Sequence, residues 1–249
     1  MREFPDHFSR IAAAYSARRP GYPPGLFAWL SGLAPGRELA WDCGTGSGQA
    51  AVPLATHFTR VVATDASEAQ LRHAVAHPRV EYRVAPADAC GLADGGVDLV
   101  TVAQALHWFD LDRFYNEVRR VARPGGLLAA WTYGLFQTGE REIDRLLRGF
   151  HFDRMGPYWP PQRRWVDQAY RTLPFPFPEL EAPVFHMELT WRAADAIGYL
   201  GTWSAVARCR AAEGRDPVGE IAERLAAAWG GEERRVRWPL AVRVGRPTE

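Results

Sequence analysis

The chain contains no lysine: all 30 of its Lys/Arg positions are arginine. That absence excludes a Schiff-base lysine, a catalytic lysine amine and a Walker-type phosphate-binding lysine. Every cationic contact must come from Arg, which stays charged and favours flat, bidentate anions. Cysteine is almost as scarce. Cys43, Cys90 and Cys209 are odd in number and far apart. They make neither a disulfide framework nor a metal knuckle, and they point to a reducing, cytoplasmic compartment. An excess of one charge is missing too. The 30 basic residues face 29 acidic ones for a net +1, which disfavours a nucleic-acid stripe or a polybasic membrane tether. No apolar run approaches the ~20 residues that a membrane span needs. The first one, residues 11–15, is too short for a signal peptide. His73 and His77 are four apart on one helix, but no third ligand accompanies them, so no metal is expected. Nothing in the sequence sets the oligomeric state.

What is present is the make-up of an ordinary globule. Of the 249 residues, 47% are hydrophobic and 24% charged. A single domain of this length buries roughly 70–75% of its unfolded surface. Phe8, Ile11, Ala12 and Tyr15 share one helical face, and Leu26, Phe27, Leu30 and Leu33 share another, with a Pro/Gly breaker between. Residues 1–36 therefore read as an N-terminal helical lid. From residue 37 to 133, strands alternate with helices. The strands are expected at 39–43, 60–64, 80–85, 97–103 and 127–131, with helices at 49–58, after Ser67 and after Asp110. This rhythm predicts an α/β fold: a Rossmann-like, doubly wound sheet, mostly parallel. Residues 134–183 break it with a helix at 140–152, a Pro- and aromatic-rich stretch and a short helix at 165–173, and they read as an inserted cap. Residues 184–249 supply a strand at 184–191, helices at 192–212 and 217–229, and a final antiparallel strand alternating through Val236, Trp238, Leu240, Val242 and Val244. The count is seven strands.

The strongest local signal is Asp42-Cys43-Gly44-Thr45-Gly46-Ser47-Gly48, at a strand end leading into a helix. Glycines there let the backbone turn sharply and let a ligand approach closely. The dinucleotide pattern Gly-x-Gly-x-x-Gly is not met, because the third glycine comes one residue early. A nicotinamide-dependent oxidoreductase is therefore disfavoured. Asp65 ends the second strand, where a carboxylate accepts ribose hydroxyls, or where it simply opens a helix. Asp88 follows the third strand, beside the same crevice; it suits an adenine amino group or an Asx turn.

Further stretches narrow the reading: Arg19-Pro20-Gly21-Tyr22-Pro23, Gln104-Ala105-Leu106-His107-Trp108-Phe109-Asp110 and Arg120-Val121-Ala122-Arg123-Pro124-Gly125-Gly126. With Gly156-Pro157-Tyr158-Trp159 and Gly201-Thr202-Trp203-Ser204, the chain resembles the class I S-adenosylmethionine-dependent methyltransferases over about residues 8–246. More narrowly it resembles the small-molecule branch that includes the trans-aconitate methyltransferases. The resemblance implies S-adenosylmethionine as cofactor. Asp42, Gly44, Thr45, Gly46 and Gly48 would line its methionine part, Asp65 and Ala66 its ribose, and Asp88 and Ala89 its adenine. Gln104 would lie next to the methyl group, with Tyr15 and Arg19 folded over the cofactor.

The sulfonium already activates the methyl group, so the protein's task is positioning and water exclusion. A carboxylate acceptor needs no general base. For a hydroxyl acceptor His107 is the candidate base, or else a ring held by packing. Trp108, Tyr133, Tyr158, Trp159, Arg163, Arg164 and Trp203 are the candidate substrate contacts. Of the ten Trp, those at 108, 131, 159, 165 and 203 are expected near the crevice, and those at 29, 41, 191, 229 and 238 in the core. The competing readings are a non-catalytic cofactor-binding module and a methyltransferase for protein or nucleic acid. The neutral charge speaks against nucleic acid.

Overall fold

Runs of apolar residues between Gly- and Asp-containing turns give strands that can be buried on both faces, and this chain uses them so. The computed structural model describes residues 20–248, so the first predicted helix, Tyr15 and Arg19 lie outside the described residues. Two compact units emerge, each made of discontinuous segments. One contains Gly21–Tyr133, Gln168–Phe185 and residues 240–248; the other contains Gly134–Asp167 and His186–Pro239. The segment 134–183 is thus divided between them.

In the first unit the parallel strands are β1 (Leu39–Cys43), β2 (Arg60–Asp65), β3 (Val80–Val84), β4 (Val97–Ala103) and β5 (Ala122–Tyr133), in the order β3-β2-β1-β4-β5. The chain builds outward from β1 in one direction and then, at β4, in the other. β1 and β4 are buried along nearly their whole length, as strands covered by helices on both faces must be. Asp98, wholly buried on β4, pins the start of β1 by accepting from Glu38 N–H at 2.9 Å and Leu39 N–H at 3.0 Å. The flanking helices are α1 (Pro24–Leu33), α2 (Ala51–Leu54), α3 (Glu68–Leu71) and α4 (Leu111–Val121). α1 buries Leu26, Phe27 and Leu30, while α4 buries Phe114, Val118 and Val121 at helical spacing. Asp110 caps α4 by accepting from Arg113 N–H, a contact worth about 1 kcal/mol.

Several elements differ from expectation; the short helix expected at 165–173, for one, is Arg163–Asp167. The helix expected at 49–58 is only α2, because its final turn tightens: Thr56 and His57 N–H donate three residues back, to Pro53 and Leu54, just before β2 begins. β5 starts earlier than residue 127, with Pro124-Gly125-Gly126 bulged out of its ladder between Ala122 and Leu127.

The sheet has eight strands rather than seven. β8 (Arg234–Gly245) runs antiparallel beside β5, from Tyr133↔Leu240 to Leu128↔Gly245. The additional strand is β6 (Glu179–Leu180), two residues against the other edge of β8 and too short to show a period. β7 (Phe185–Trp191) also pairs with β8.

The second unit contains α5 (Arg141–Arg148), α6 (Arg163–Asp167), α7 (Ala193–Leu200), α8 (Ser204–Glu213) and α9 (Gly219–Trp229). Its buried residues include Ile143, Leu146 and Leu147 of α5 and an aromatic cluster of Phe136, Trp191, Tyr199 and Trp238, with Phe136 5.4 Å from both Trp191 and Trp238. The helix expected at 192–212 is two helices, α7 and α8, broken at Gly201-Thr202-Trp203. The helix expected at 140–152 ends at Arg148 and widens into a π-helical turn, Gly149–Arg154. Its apolar face gave no warning, because Phe150 stays buried either way.

Candidate functional site

The first unit brings four of the expected residues to the carboxyl ends of its parallel strands: Asp42 on β1, Asp65 on β2, Asp88 after β3 and Gln104 after β4. The crevice of such a sheet lies where the strand order reverses, here between β1 and β4.

After Asp42 the chain turns through Gly44, Gly46 and Gly48, all with positive φ. Gly44 admits no other residue: a Cβ would sit 2.6 Å from Ala105 Cβ and 3.1 Å from the Phe109 ring. Gly46 is the opposite case, since a Cβ there would find only Gln70 Oε1, at 3.9 Å. Its missing side chain leaves room above the loop. Asp65 ties the loop to β2. One carboxylate oxygen accepts from Gly46 N–H at 2.9 Å and the other from Ser67 N–H at 2.8 Å. Each oxygen keeps a lone pair for a ligand hydroxyl. Burial, opposed by those two hydrogen bonds, raises the pKa of Asp65. Ala66 beside it is exposed.

Asp42 is held differently. It is fully buried, accepting Thr45 Oγ1–H at 2.6 Å and Thr101 Oγ1–H at 2.7 Å. It therefore fixes the loop from behind, through Thr45. Burial outweighs the two hydroxyl bonds and raises its pKa from 3.8 to about 6. Cys43 and Cys90 are buried as well, and burial pushes both thiols up, Cys90 to about 12. Neither is a nucleophile.

Asp88 is one-fifth exposed and pairs with the Arg113 guanidinium at 2.7 Å; Ala89 after it is exposed. Gln104 has φ +56, a region that costs a non-glycine residue about 1–2 kcal/mol. Its amide is tied back to β5, with Nε2–H donating to the Tyr133 carbonyl at 2.8 Å and Oε1 accepting the Thr132 hydroxyl.

His107 lies in a short 3-10 turn, Leu106–Trp108, and is buried. Its Nδ1 is 2.7 Å from the Tyr170 hydroxyl, and its ring lies 4.9 Å from that of Trp108. Tyr170 is wholly buried and reaches His107 from two consecutive left-handed residues, Ala169 and Tyr170. Arg243 braces that turn by donating to the carbonyls of Tyr170 and Leu173 at 3.0 and 2.6 Å. No spacing in the sequence announced this pair. Tyr133 is buried at the end of β5. Trp131, expected near the crevice, is instead a core residue of β5 with no exposure, because its position in the strand points it against Tyr22 and Phe27.

The other candidates belong to the second unit. The Tyr158 hydroxyl donates to Glu213, which also accepts from Arg154. Arg164 is exposed and lies over Trp165. Trp159 and Trp203 are in contact, ring centroids 5.5 Å apart, and the Arg163 guanidinium stacks on Trp159 at 4.6 Å. Against both stands His151, which no sequence signal had singled out. It is wholly buried, with Trp159 at 5.2 Å and Trp203 at 5.3 Å. Its Nε2 meets Asp167 Oδ1 at 3.1 Å, which also accepts from Arg163 Nε–H at 3.0 Å. Among the described residues no group of three or more His, Cys, Asp or Glu could hold a metal ion, and no helix is long and apolar enough to cross a membrane.

Comparison with known proteins shows the family. Residues 41–130 match the family described as "Methyltransferase domain". A protein of Dictyostelium discoideum that bears the name methyltransferase is 35% identical over 230 residues, covering 91% of this chain and 88% of its own. A Saccharomyces cerevisiae protein named as an S-adenosylmethionine-dependent methyltransferase is 30% identical over 131 residues, covering 49% of this chain and 45% of its own. A solved structure from Anaeromyxobacter dehalogenans, described as a type II methyltransferase, superposes with a TM-score of 0.86 at 53% identity, covering 92% of this chain and 98% of the other.

Proposed function

Because the chain belongs to the class I S-adenosylmethionine-dependent methyltransferases, we propose that it methylates an oxygen of a small-molecule acceptor, in the first place a carboxylate. The observation that carries the cofactor half is the clamp of Asp65 on the glycine loop at the strand-order switch. The residues fit the group. Open space above Gly46 admits a ligand against the backbone, and the free lone pairs of Asp65 suit two vicinal hydroxyls. Asp88 has an exposed edge for an amino group. When bound, S-adenosylmethionine would supply an electrophilic methyl group for the acceptor oxygen, in exchange for the C–S bond whose electron pair would stay on sulfur.

The chain's own residues bind and orient. Gly44, Thr45, Gly46 and Gly48 shape the loop, with Asp42 holding it from behind; Asp65 with Ala66 takes the ribose and Asp88 with Ala89 the adenine. Gln104, locked to β5, gives a rigid wall near the transferred group. Tyr15 and Arg19 are the proposed cover, with Arg19 as bidentate partner of the cofactor carboxylate. Trp108, Tyr133, Tyr158, Trp159, Trp203, Arg163 and Arg164 are the proposed acceptor contacts. With lysine absent, a cation that meets an acidic acceptor must be arginine, and Arg163 and Arg164 are the proposed ones. A carboxylate is ionised at neutral pH, so no base is needed. That choice also follows the resemblance to the trans-aconitate branch, and the balanced charge keeps nucleic acid out of the reading. A planar hydroxyl is the second reading, favoured by the buried His107–Tyr170 contact, which supplies a base candidate already oriented at Nδ1. We place the enzyme in the cytoplasm, in keeping with its three free, buried thiols.

Calorimetric titration with S-adenosylmethionine tests the reading. Micromolar binding is expected in the wild type. Asp65→Ala should weaken it by at least about a hundredfold, since two hydrogen bonds to a charged group are lost. A wild type that gives neither heat nor a thermal shift refutes the cofactor assignment. Unchanged affinity in the variant refutes the ribose assignment.

A further inference from the structure

The second unit carries a polar group that nothing so far uses. His151 sits in the π-helical turn Gly149–Arg154, and such turns concentrate at functional sites. Asp167 accepts from both His151 Nε2 and Arg163 Nε. Although burial works against it, the His151 hydrogen bond and the Arg163 charge hold Asp167 below the usual carboxylate value, so it is an anion. An anionic oxygen accepts, so Nε2 carries the imidazole proton. Burial, only partly offset by Asp167, lowers the His151 pKa, and the ring is neutral near pH 7. The remaining nitrogen, Nδ1, is then a bare lone pair. It is wholly buried and has no hydrogen-bond partner. Leaving such an acceptor unmade is costly, and its neighbours are the Trp159 and Trp203 rings.

We propose that His151 Nδ1, with the indoles of Trp159 and Trp203, is a recognition site for a planar acceptor molecule that carries an O–H or N–H donor. The donor fills the vacant lone pair and the ring of the ligand lies against the indoles. The Arg163 guanidinium, stacked on Trp159, has its two terminal nitrogens to offer to an anionic substituent of the same molecule. Asp167 is the positioning residue: it fixes the tautomer that makes Nδ1 an acceptor. The proposal rests on the reading of the cap aromatics as acceptor contacts and narrows the acceptor from any small acid to a planar one bearing a donor.

The test uses a matched pair of probes, 4-hydroxybenzoate and 4-methoxybenzoate, which share ring and carboxylate and differ in the donor. Binding to the full chain, saturated with S-adenosylhomocysteine, is followed by tryptophan fluorescence. The hydroxy probe should bind about five- to tenfold tighter than the methoxy probe, the worth of one buried hydrogen bond. His151→Phe keeps an aromatic ring in the cluster and should erase the difference, and Asp167→Asn should shrink it several-fold. Nitrogen NMR should show Nδ1 unprotonated in the free protein. Equal affinities in the wild type, no binding of either probe, or a preference that survives His151→Phe would overturn the proposal. Calorimetry with S-adenosylhomocysteine is run beside it, so a failed cofactor site registers separately from a failed His151 site.

Discussion

Replacing Asp42 by Asn should make the protein more stable at neutral pH, although it removes the first acid of the glycine motif. The carboxylate is fully buried and its pKa is raised from 3.8 to about 6. In the unfolded chain it ionises near 3.8, so between about pH 4 and pH 6 the folded state holds the proton more tightly. Stability from this group is therefore present at low pH and lost as pH rises through that window. About two pKa units correspond to roughly 3 kcal/mol of destabilisation above pH 6. Asn is nearly isosteric and has no such cost. Its oxygen can accept the Thr101 hydroxyl, while its amide donates to Thr45 Oγ. The value of about 6 is already net of the hydroxyl bonds, but turning the Thr45 hydroxyl from donor to acceptor costs about 1 kcal/mol, leaving a net gain of about 1–2 kcal/mol. For a protein of this size that is roughly 2–8 °C in Tm. Urea melts of both proteins without cofactor, from about pH 4 to pH 7.5, read the difference directly. Glu81 and Glu117, whose arginine partners hold them near 2, add the same rise in stability between about pH 2 and pH 5 to both proteins and cancel in the comparison. The reasoning is refuted if the two proteins lose stability in parallel from pH 4 to 6, or if the variant is the weaker one at pH 7.5.

Gly44→Ala should cost about 2–4 kcal/mol in a urea melt, from left-handed strain together with the clash on Ala105; a loss under 1 kcal/mol would show that the loop relaxes freely. Tyr170→Phe should leave the fold intact but change the nitrogen NMR shifts of His107, whose Nδ1 loses its hydroxyl partner; unchanged shifts would remove Tyr170 as the orienting group. For a hydroxyl acceptor, His107→Asn should abolish the acidic limb of the pH–rate profile, and a limb that survives excludes His107 as the base.

The strand rhythm, the glycine loop and the acids at the strand ends were all legible, because each depends on neighbours within a few residues. Asp42-to-Gly48 is a local conformational requirement, and β1, β2 and β4 are short, largely apolar runs set off by turns. What the sequence hid depends on distance or on irregular backbone. Whether Asp42 faces a ligand or the interior is decided by Thr101, 59 residues away. His151 finds Asp167 across a π-helical turn that has no apolar period of its own. Tyr170 reaches His107 only because Ala169 and Tyr170 adopt φ values that alanine and tyrosine seldom take. Trp131 looked like a crevice residue by its place near a loop, yet β5 runs two residues further and buries it.

The pairing of β8 with β5 has a consequence for how the chain is made. Tyr133 leaves the ribosome on the order of a hundred residues before Leu240, its partner. At roughly 5–20 residues per second, the open edge of β5, with Leu128, Ala129, Ala130 and Trp131 ready to pair, waits about 5–20 seconds for its neighbour. An unpaired apolar edge is a template for other nascent chains. Translational pausing between residues 133 and 240, or premature release in that interval, therefore leaves that edge open for longer.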